Sequence, residues 1–231
     1  MNLYFIILVF ILLSVVSIFI YSEFKDRKLL KTVTNLNRGT KSERIMVLKI
    51  LKSGIKSTAI FHDIYLNNGN GKYSQIDLVV ATKVGIVVFE VKEYSGWIFG
   101  NENQINWTQI LAYGKRKYKF YNPILQNKKH VEDLKKFYHF DNIPVFSLIV
   151  FFGDCEFKNL IDLPSQTILT KSNKVMKIFN EILENNQPAK YENKWEIANL
   201  LKQAVNNGEN SLIREKHIEN IEKLKARNRY Y

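Results

Sequence analysis

The sequence predicts an α/β fold: a mixed central sheet flanked by helices, preceded by one N-terminal transmembrane helix and followed by further helices. Three observations point there. Hydrophobic patterns run in the order helix, strands, helix, strand, then helices, which suits a single layered α/β domain. Two apolar, β-branched runs, "QIDLVVAT" and "GIVVFEVKEY", lie close enough to form a hairpin. An uncharged apolar run, Leu3 to Tyr21, stands at the N-terminus. The expected organisation is an anchor over 1–24, a juxtamembrane linker over 25–38, an α/β domain over 39–170 and a C-terminal helical region over 171–231.

The N-terminal run is long enough to cross a bilayer as a helix. Ser14 and Ser17 can bond back to helix carbonyls, and Tyr4 and Tyr21 sit where interfacial aromatics are favoured. A cleaved signal peptide needs a basic n-region and a small-residue cleavage site, and neither is present. Positive charge follows instead, at Lys25, Arg27, Lys28 and Lys31. The expected topology is single-pass, with the N-terminus outside and the globular part cytoplasmic.

Beyond Gly39, "GTKSERIMVLKILKSG" has helical periodicity through Ile45, Val47, Leu48 and Leu51, and Ser53-Gly54 stops it. "TAIFHDIYL" reads as a strand and "NNGNGKYS" as a turn. After the hairpin, Gly96 and Gly100 bracket "WIF", and "QINWTQI" gives another short strand. "PILQNKKHVEDLKKFY" reads as a helix with Pro123 near its start. "PVFSLIVFFG" is a buried strand, and "TILT" a short final one. Two amphipathic helices follow. Ser211 to Tyr231, charged and sparsely apolar, is expected to form a surface or frayed helix.

Composition excludes some chemistry. The chain has 231 residues, 46% hydrophobic, with one cysteine and four histidines. A disulfide within the chain and a cysteine-ligated zinc site are ruled out. The histidines lack metal-ligand spacing. A net charge of +12 favours anionic partners, nucleic acid or a membrane surface.

The hairpin carries the chemistry. Pairing Thr82 with Gly85 across a two-residue loop sets Asp77 opposite Glu90. Such opposed residues have Cβ atoms about 4.5–5.5 Å apart on one face. Lys92, two residues past Glu90, points to that face. Two carboxylates that close repel, and burial raises at least one pKa. A divalent cation removes the conflict. Mg²⁺ takes one or two carboxylates, with water and phosphate oxygens completing its shell, and it can activate water for attack at phosphorus. Lys92 could orient or deprotonate that water, or stabilise developing charge. The bland alternative makes Asp77 a turn cap and leaves Glu90 and Lys92 on a solvated strand edge.

An Asp on one hairpin strand and Glu-Val-Lys on the next resembles the PD-(D/E)xK, restriction-endonuclease-like, nucleases. More narrowly, "QIDLVV", "GIVVFEVKEYSGWIFG", a following Trp and "NPILQNKKHVEDL" resemble the nuclease-related domain, over about residues 39–155. The resemblance implies a metal-dependent phosphodiesterase core using Mg²⁺ or Mn²⁺. Asp77 and Glu90 would match the metal ligands, with the Val91 carbonyl as a further one. Lys92 would match the catalytic lysine, Glu43 the acid on the first helix and Gln126 the glutamine on the later helix. Two departures stand out: Ser42 where the family has a second Gly, and Ile76 where the superfamily name has Pro.

Other residues have two readings each. Glu43 also suits a helix N-terminal turn. Gln126 and Asn127 also suit a polar helix face. "KRKYKFY" interleaves Lys115, Arg116, Lys117 and Lys119 with aromatics, which suits nucleic-acid binding or a solvated strand face. Trp97, Trp107 and Cys155 read as structural, and His130 as a supporting residue one turn beyond Gln126. The expected function is a membrane-anchored, metal-dependent nuclease-like protein that hydrolyses phosphodiester bonds, with DNA favoured over RNA and the choice between them left open by the sequence. The alternatives are a non-catalytic nucleic-acid-binding or scaffolding module on the same fold, and a protein partner for the C-terminal helices.

Overall fold

The computed structural model describes residues 3–69, 71–111, 114–138, 142–161 and 167–227. Helix α1 (Leu3–Leu30) leads into α2 (Lys41–Lys52), and a 3-10 turn at Ser57–Ala59 precedes the first strand. The strands and the helix after them are β1 (Ile60–Asn67), β2 (Tyr73–Thr82), β3 (Gly85–Glu93), β4 (Gly96–Asn101), β5 (Asn106–Leu111), β6 (Arg116–Tyr121) and α3 (Pro123–Tyr138). Then come β7 (Val145–Phe152), β8 (Cys155–Ile161), β9 (Thr167–Lys171), α4 (Val175–Asn185), α5 (Lys194–Asn207) and α6 (Ser211–Arg227).

The mixed α/β class expected from the sequence is found, but the strands form two sheets. The larger has the order β1-β2-β3-β7-β9. Its first three strands are antiparallel, and β3, β7 and β9 are parallel. The smaller has the order β6-β5-β4-β8, with β4 and β8 parallel. Two glycines explain the second sheet. Gly96, at φ +76, follows β3, and Gly153, at φ +81, follows β7. A Cβ on Gly96 would lie 2.4 Å from the Ile110 oxygen, and one on Gly153 2.4 Å from the Tyr94 oxygen. These left-handed, side-chain-free positions let the β3/β7 pair bend together into the β4/β8 pair. The link stays hydrogen-bonded, through Tyr94 N–H to the Phe152 carbonyl and Gly96 N–H to the Asp154 carbonyl. Strand β8 gave no sequence signal because Gly153 reads as a terminator.

The larger sheet is covered on both faces. On one, α2 and α4 bury Met46, Val47, Ile50, Phe179 and Ile182 against Leu78, Val80, Phe89 and Val150. On the other, α3 and α5 bury Leu134, Ile197 and Leu201 against Val79, Ile86 and Val88. Each such side chain, fully buried, contributes about 1.5–3 kcal/mol. The C-terminal helices α4 and α5 therefore share the core of the sheet. A third cluster, with Trp107, Ile124, Ile149 and Phe151, fills the space under the smaller sheet.

Helix α1 is long and apolar enough to cross a membrane over Ile7–Leu30, and none of that segment's apolar window is buried by the protein. The Ser14 hydroxyl donates to the Phe10 carbonyl at 2.8 Å, as its spacing suggested. The end of α1 is docked rather than loose. Leu30 is buried in the first core cluster, and Lys52 on α2 pairs with Asp26 at 2.6 Å.

Candidate active site

The β2–β3 hairpin has the expected register. Thr82 pairs with Gly85 and the ladder runs to Leu78–Phe89. Beyond it the pattern changes. The Val91 N–H donates to the Asp77 side chain at 2.7 Å. On the neighbouring strand Asp63 has φ +51, a left-handed value that a non-glycine residue rarely adopts. The β1–β2 pairing runs on either side of Asp63 and Asp77, with the same offset before and after. Side-chain phase flips there. Ile60 faces the α2 side, whereas Phe61, Ile64 and Leu66 all face α5. In β2, Leu78 faces α2 but Ile76 and Val79 face α5. Asp63 is held in this conformation by Arg38, whose Nε donates to its carboxylate at 3.1 Å, and by Gln75 at 2.8 Å.

Three of the expected residues meet. Lys92 Nζ lies 2.6 Å from Glu90 Oε1 and donates to Gln126 Oε1 at 3.0 Å. Gln126 reaches the site because Asn122 caps α3, accepting from the Ile124 N–H and donating to three carbonyls of the β4–β5 connection. One turn on, His130 Nε2 lies 3.4 Å from Glu90 Oε2. Asn127, considered beside Gln126, has a structural part. It is fully buried and donates to the Val88 carbonyl and Ser147 Oγ, which ties α3 to β3 and β7.

Glu43 stands apart from that cluster. It is the N3 residue of α2 in a capping box: Thr40 Oγ1 accepts from its N–H at 3.2 Å and donates to its carboxylate at 2.9 Å. Its other oxygen faces His62 Nε2 at 3.4 Å, and His62 Nδ1 meets Thr34 Oγ1 at 2.8 Å. Gly39 makes room for this arrangement, since a Cβ there would lie 2.3 Å from Glu43 Oε2. No local pattern marked His62 or Thr34, because their contacts join segments distant in sequence.

The charges are unequally satisfied. Glu90 is 1% exposed. Burial works to raise its pKa, but Lys92 and His130 outweigh burial and hold it below the ordinary carboxylate value. Burial likewise works against the Lys92 ammonium, and Glu90 and Asp77 overcome it, so its pKa rises. Around Glu43, His62 and Thr40 outweigh burial, and the carboxyl is lowered. Asp77 goes the other way. Loss of water, then the charges of Glu90 and Glu43, push it well above its ordinary value, against weaker help from Lys92 and the Val91 N–H. One carboxyl at the end of the hairpin therefore lacks a cation of its own.

That imbalance, at carboxylate oxygens, fits a hard divalent cation such as Mg²⁺ or Mn²⁺. No group of three or more His, Cys, Asp or Glu side chains converges among the described residues. A cation that keeps several waters needs only one or two carboxylates.

The remaining candidates lie in the smaller sheet. Lys115, Arg116, Lys117 and Lys119 are exposed on or beside β6, its edge strand. None has an ion-pair partner among the described residues. Trp107 is fully buried, and Cys155 is buried with its thiol pushed up by burial, so both are structural. Trp97 is half-buried beneath Lys158.

Comparison with known proteins agrees with the hairpin. Residues 38–152 match the family model described as nuclease-related domain. Over that span the chain belongs to this family. It is also 30% identical over 123 residues to an uncharacterized protein of Bacillus anthracis, covering 53% of this chain and 57% of that protein. The match thus spans little more than half the length of this relative. No solved structure matches the chain.

Proposed function

We propose that the protein is a metal-dependent nuclease that hydrolyses phosphodiester bonds in nucleic acid, DNA in the first instance, while held at a membrane by α1. The observation that carries this reading is the fixed position of Lys92. Its ammonium is held between Glu90 and Gln126, beside an Asp77 that has no cation of its own. Asp77, Glu90 and the Val91 carbonyl would hold Mg²⁺ or Mn²⁺. The bound cation supplies an acidified water and charge stabilisation at phosphorus.

The chain's own residues do the rest. Lys92 places a positive charge where a phosphoryl oxygen gains negative charge. Gln126 accepts a hydrogen bond from its ammonium and so fixes the direction of the other N–H groups. Glu43, locked by Thr40 and His62, adds negative potential at Asp77 and so favours cation binding. Lys115, Arg116, Lys117 and Lys119 offer phosphate contacts on the edge of the smaller sheet. In this reading the globular part lies on the cytoplasmic side, which the basic residues after the membrane run support.

The test uses the full chain in detergent, incubated with supercoiled and linear DNA in Mg²⁺, Mn²⁺ or EDTA, beside Lys92→Arg. That variant keeps a charge against Glu90. Cleavage that needs metal and falls in the variant is the expected result. A folded protein that binds DNA and cleaves none in either metal would favour the binding-module reading.

A further inference from the structure

A cleft of about 850 Å³ opens from the candidate site, with Asp77, Gln126 and His130 lining it. One wall is α3. The β1–β2 connection and α6 supply the others, through Lys72 and, on α6, His217, Asn220 and Lys223. Helix α6 lies wholly outside the span that matches the family. Its sequence is too polar to demand a place in the core, yet it is docked. The His217 ring donates from Nδ1 to the Tyr73 carbonyl at 2.9 Å and stands edge-on to Tyr65.

We infer that this cleft, walled by α6, is the path of the nucleic-acid backbone into the site, so that a segment beyond the family core supplies part of the substrate-binding surface. The inference rests on the nuclease reading of Asp77, Glu90 and Lys92. Its basis is the placing of charge. Lys72, Lys129, Lys136 and Lys223 all face the cleft, on three separate elements. Lys129 is engaged by Asp133 at 3.0 Å and Lys223 by Glu219 at 2.6 Å. Lys72 and Lys136 are exposed and have no ion-pair partner among the described residues.

The spacing suits a polymer better than a mononucleotide. Lys129 and Lys136 stand two turns apart on α3, about 10 Å along its axis. A nucleic-acid strand rises about 3.4 Å per nucleotide, so these two lysines meet different phosphates. A backbone lying along the lysines would pass Asp77 and Gln126 at the reacting end. The exposed β6 strand lies outside this cleft and serves as a flanking contact.

The test measures binding without turnover. The full chain in detergent is titrated against a fluorescein-labelled single-stranded DNA oligonucleotide in EDTA, at several salt concentrations. Lys72→Glu/Lys136→Glu is compared with Lys117→Glu/Lys119→Glu on β6. The cleft pair should weaken binding roughly tenfold and lower the slope of log affinity against log salt by about 1.4, as two lost phosphate contacts require on a single strand. The β6 pair should cost less. Lys72→Gln/Lys136→Gln should fall between the parent and the charge reversal. A cleft reversal that costs no more than the β6 reversal overturns the inference and leaves the nuclease reading in place. A parent chain that binds no DNA overturns both.

Discussion

The two sheets are continuous through β3–β4 and β7–β8, yet they treat charge in opposite ways. At the end of β3, Glu90 is 1% exposed and Lys92 is pinned between it and Gln126. On β6, Lys117 and Lys119 stand in solvent without ion-pair partners among the described residues. A buried charge needs a fixed partner, because leaving it unpaired is costly. Fixed partners give the defined geometry that chemistry requires. Exposed lysines keep their hydration and freedom. That suits loose contact with phosphates but gives no directional catalysis.

The largest effect should come from the buried face of the smaller sheet. Trp107 is fully buried against Phe120 and Phe151, and its Nε1 donates to the Asn101 carbonyl. Trp107→Ala should destabilise the protein by about 3–5 kcal/mol in denaturant titration. A cost below about 1 kcal/mol would mean that the smaller sheet is an appendage, not part of the core. Next comes Lys92→Arg, which should lower the cleavage rate about 10²-fold, near 2.7 kcal/mol of transition-state stabilisation. Its thermal melt should stay close to that of the parent, because the ion pair with Glu90 is kept. Unchanged cleavage would remove Lys92 from the chemistry.

Asp77→Asn reads the buried charge through pH. A carboxyl with a raised folded pKa gives its full stabilisation below the unfolded value, near pH 4. That stabilisation is lost as pH climbs through the raised folded value. Asn removes the loss, and its oxygen can still accept from the Val91 N–H. In EDTA the variant should melt above the parent at pH 8, by about 2–4 °C for each kcal/mol of relieved repulsion. The difference should close towards pH 4. A variant that melts below the parent at pH 8 would contradict the unsatisfied state of Asp77. The smallest effect belongs to Lys117→Glu/Lys119→Glu, which should leave stability within about 0.5 kcal/mol. A larger loss in denaturant titration would show that these lysines hold structure.

The hairpin was legible because its information is local. Alternating apolar residues, a short loop and the Glu90–Lys92 spacing fix which side chains share a face. Glu43 was legible as a helix-start residue, which it is, but not as the partner of His62. The two-sheet arrangement was hidden in Gly96 and Gly153, which look like strand ends and act as bends. Asp63 was hidden too, since its left-handed backbone depends on Arg38 and Gln75 meeting across separate segments. The cleft joins Lys72 to Lys223, a distance in sequence that no local pattern spans.

Mn²⁺ binding to the full chain, followed by the loss of the free-ion electron paramagnetic resonance signal, tests whether Asp77 and Glu90 hold a cation. One ion should be taken up by the parent and by Lys117→Glu/Lys119→Glu, and uptake should be lost in Asp77→Asn/Glu90→Gln. Uptake that persists undiminished in Asp77→Asn/Glu90→Gln, or a parent that takes up none, would contradict a cation site at the end of the β2–β3 hairpin.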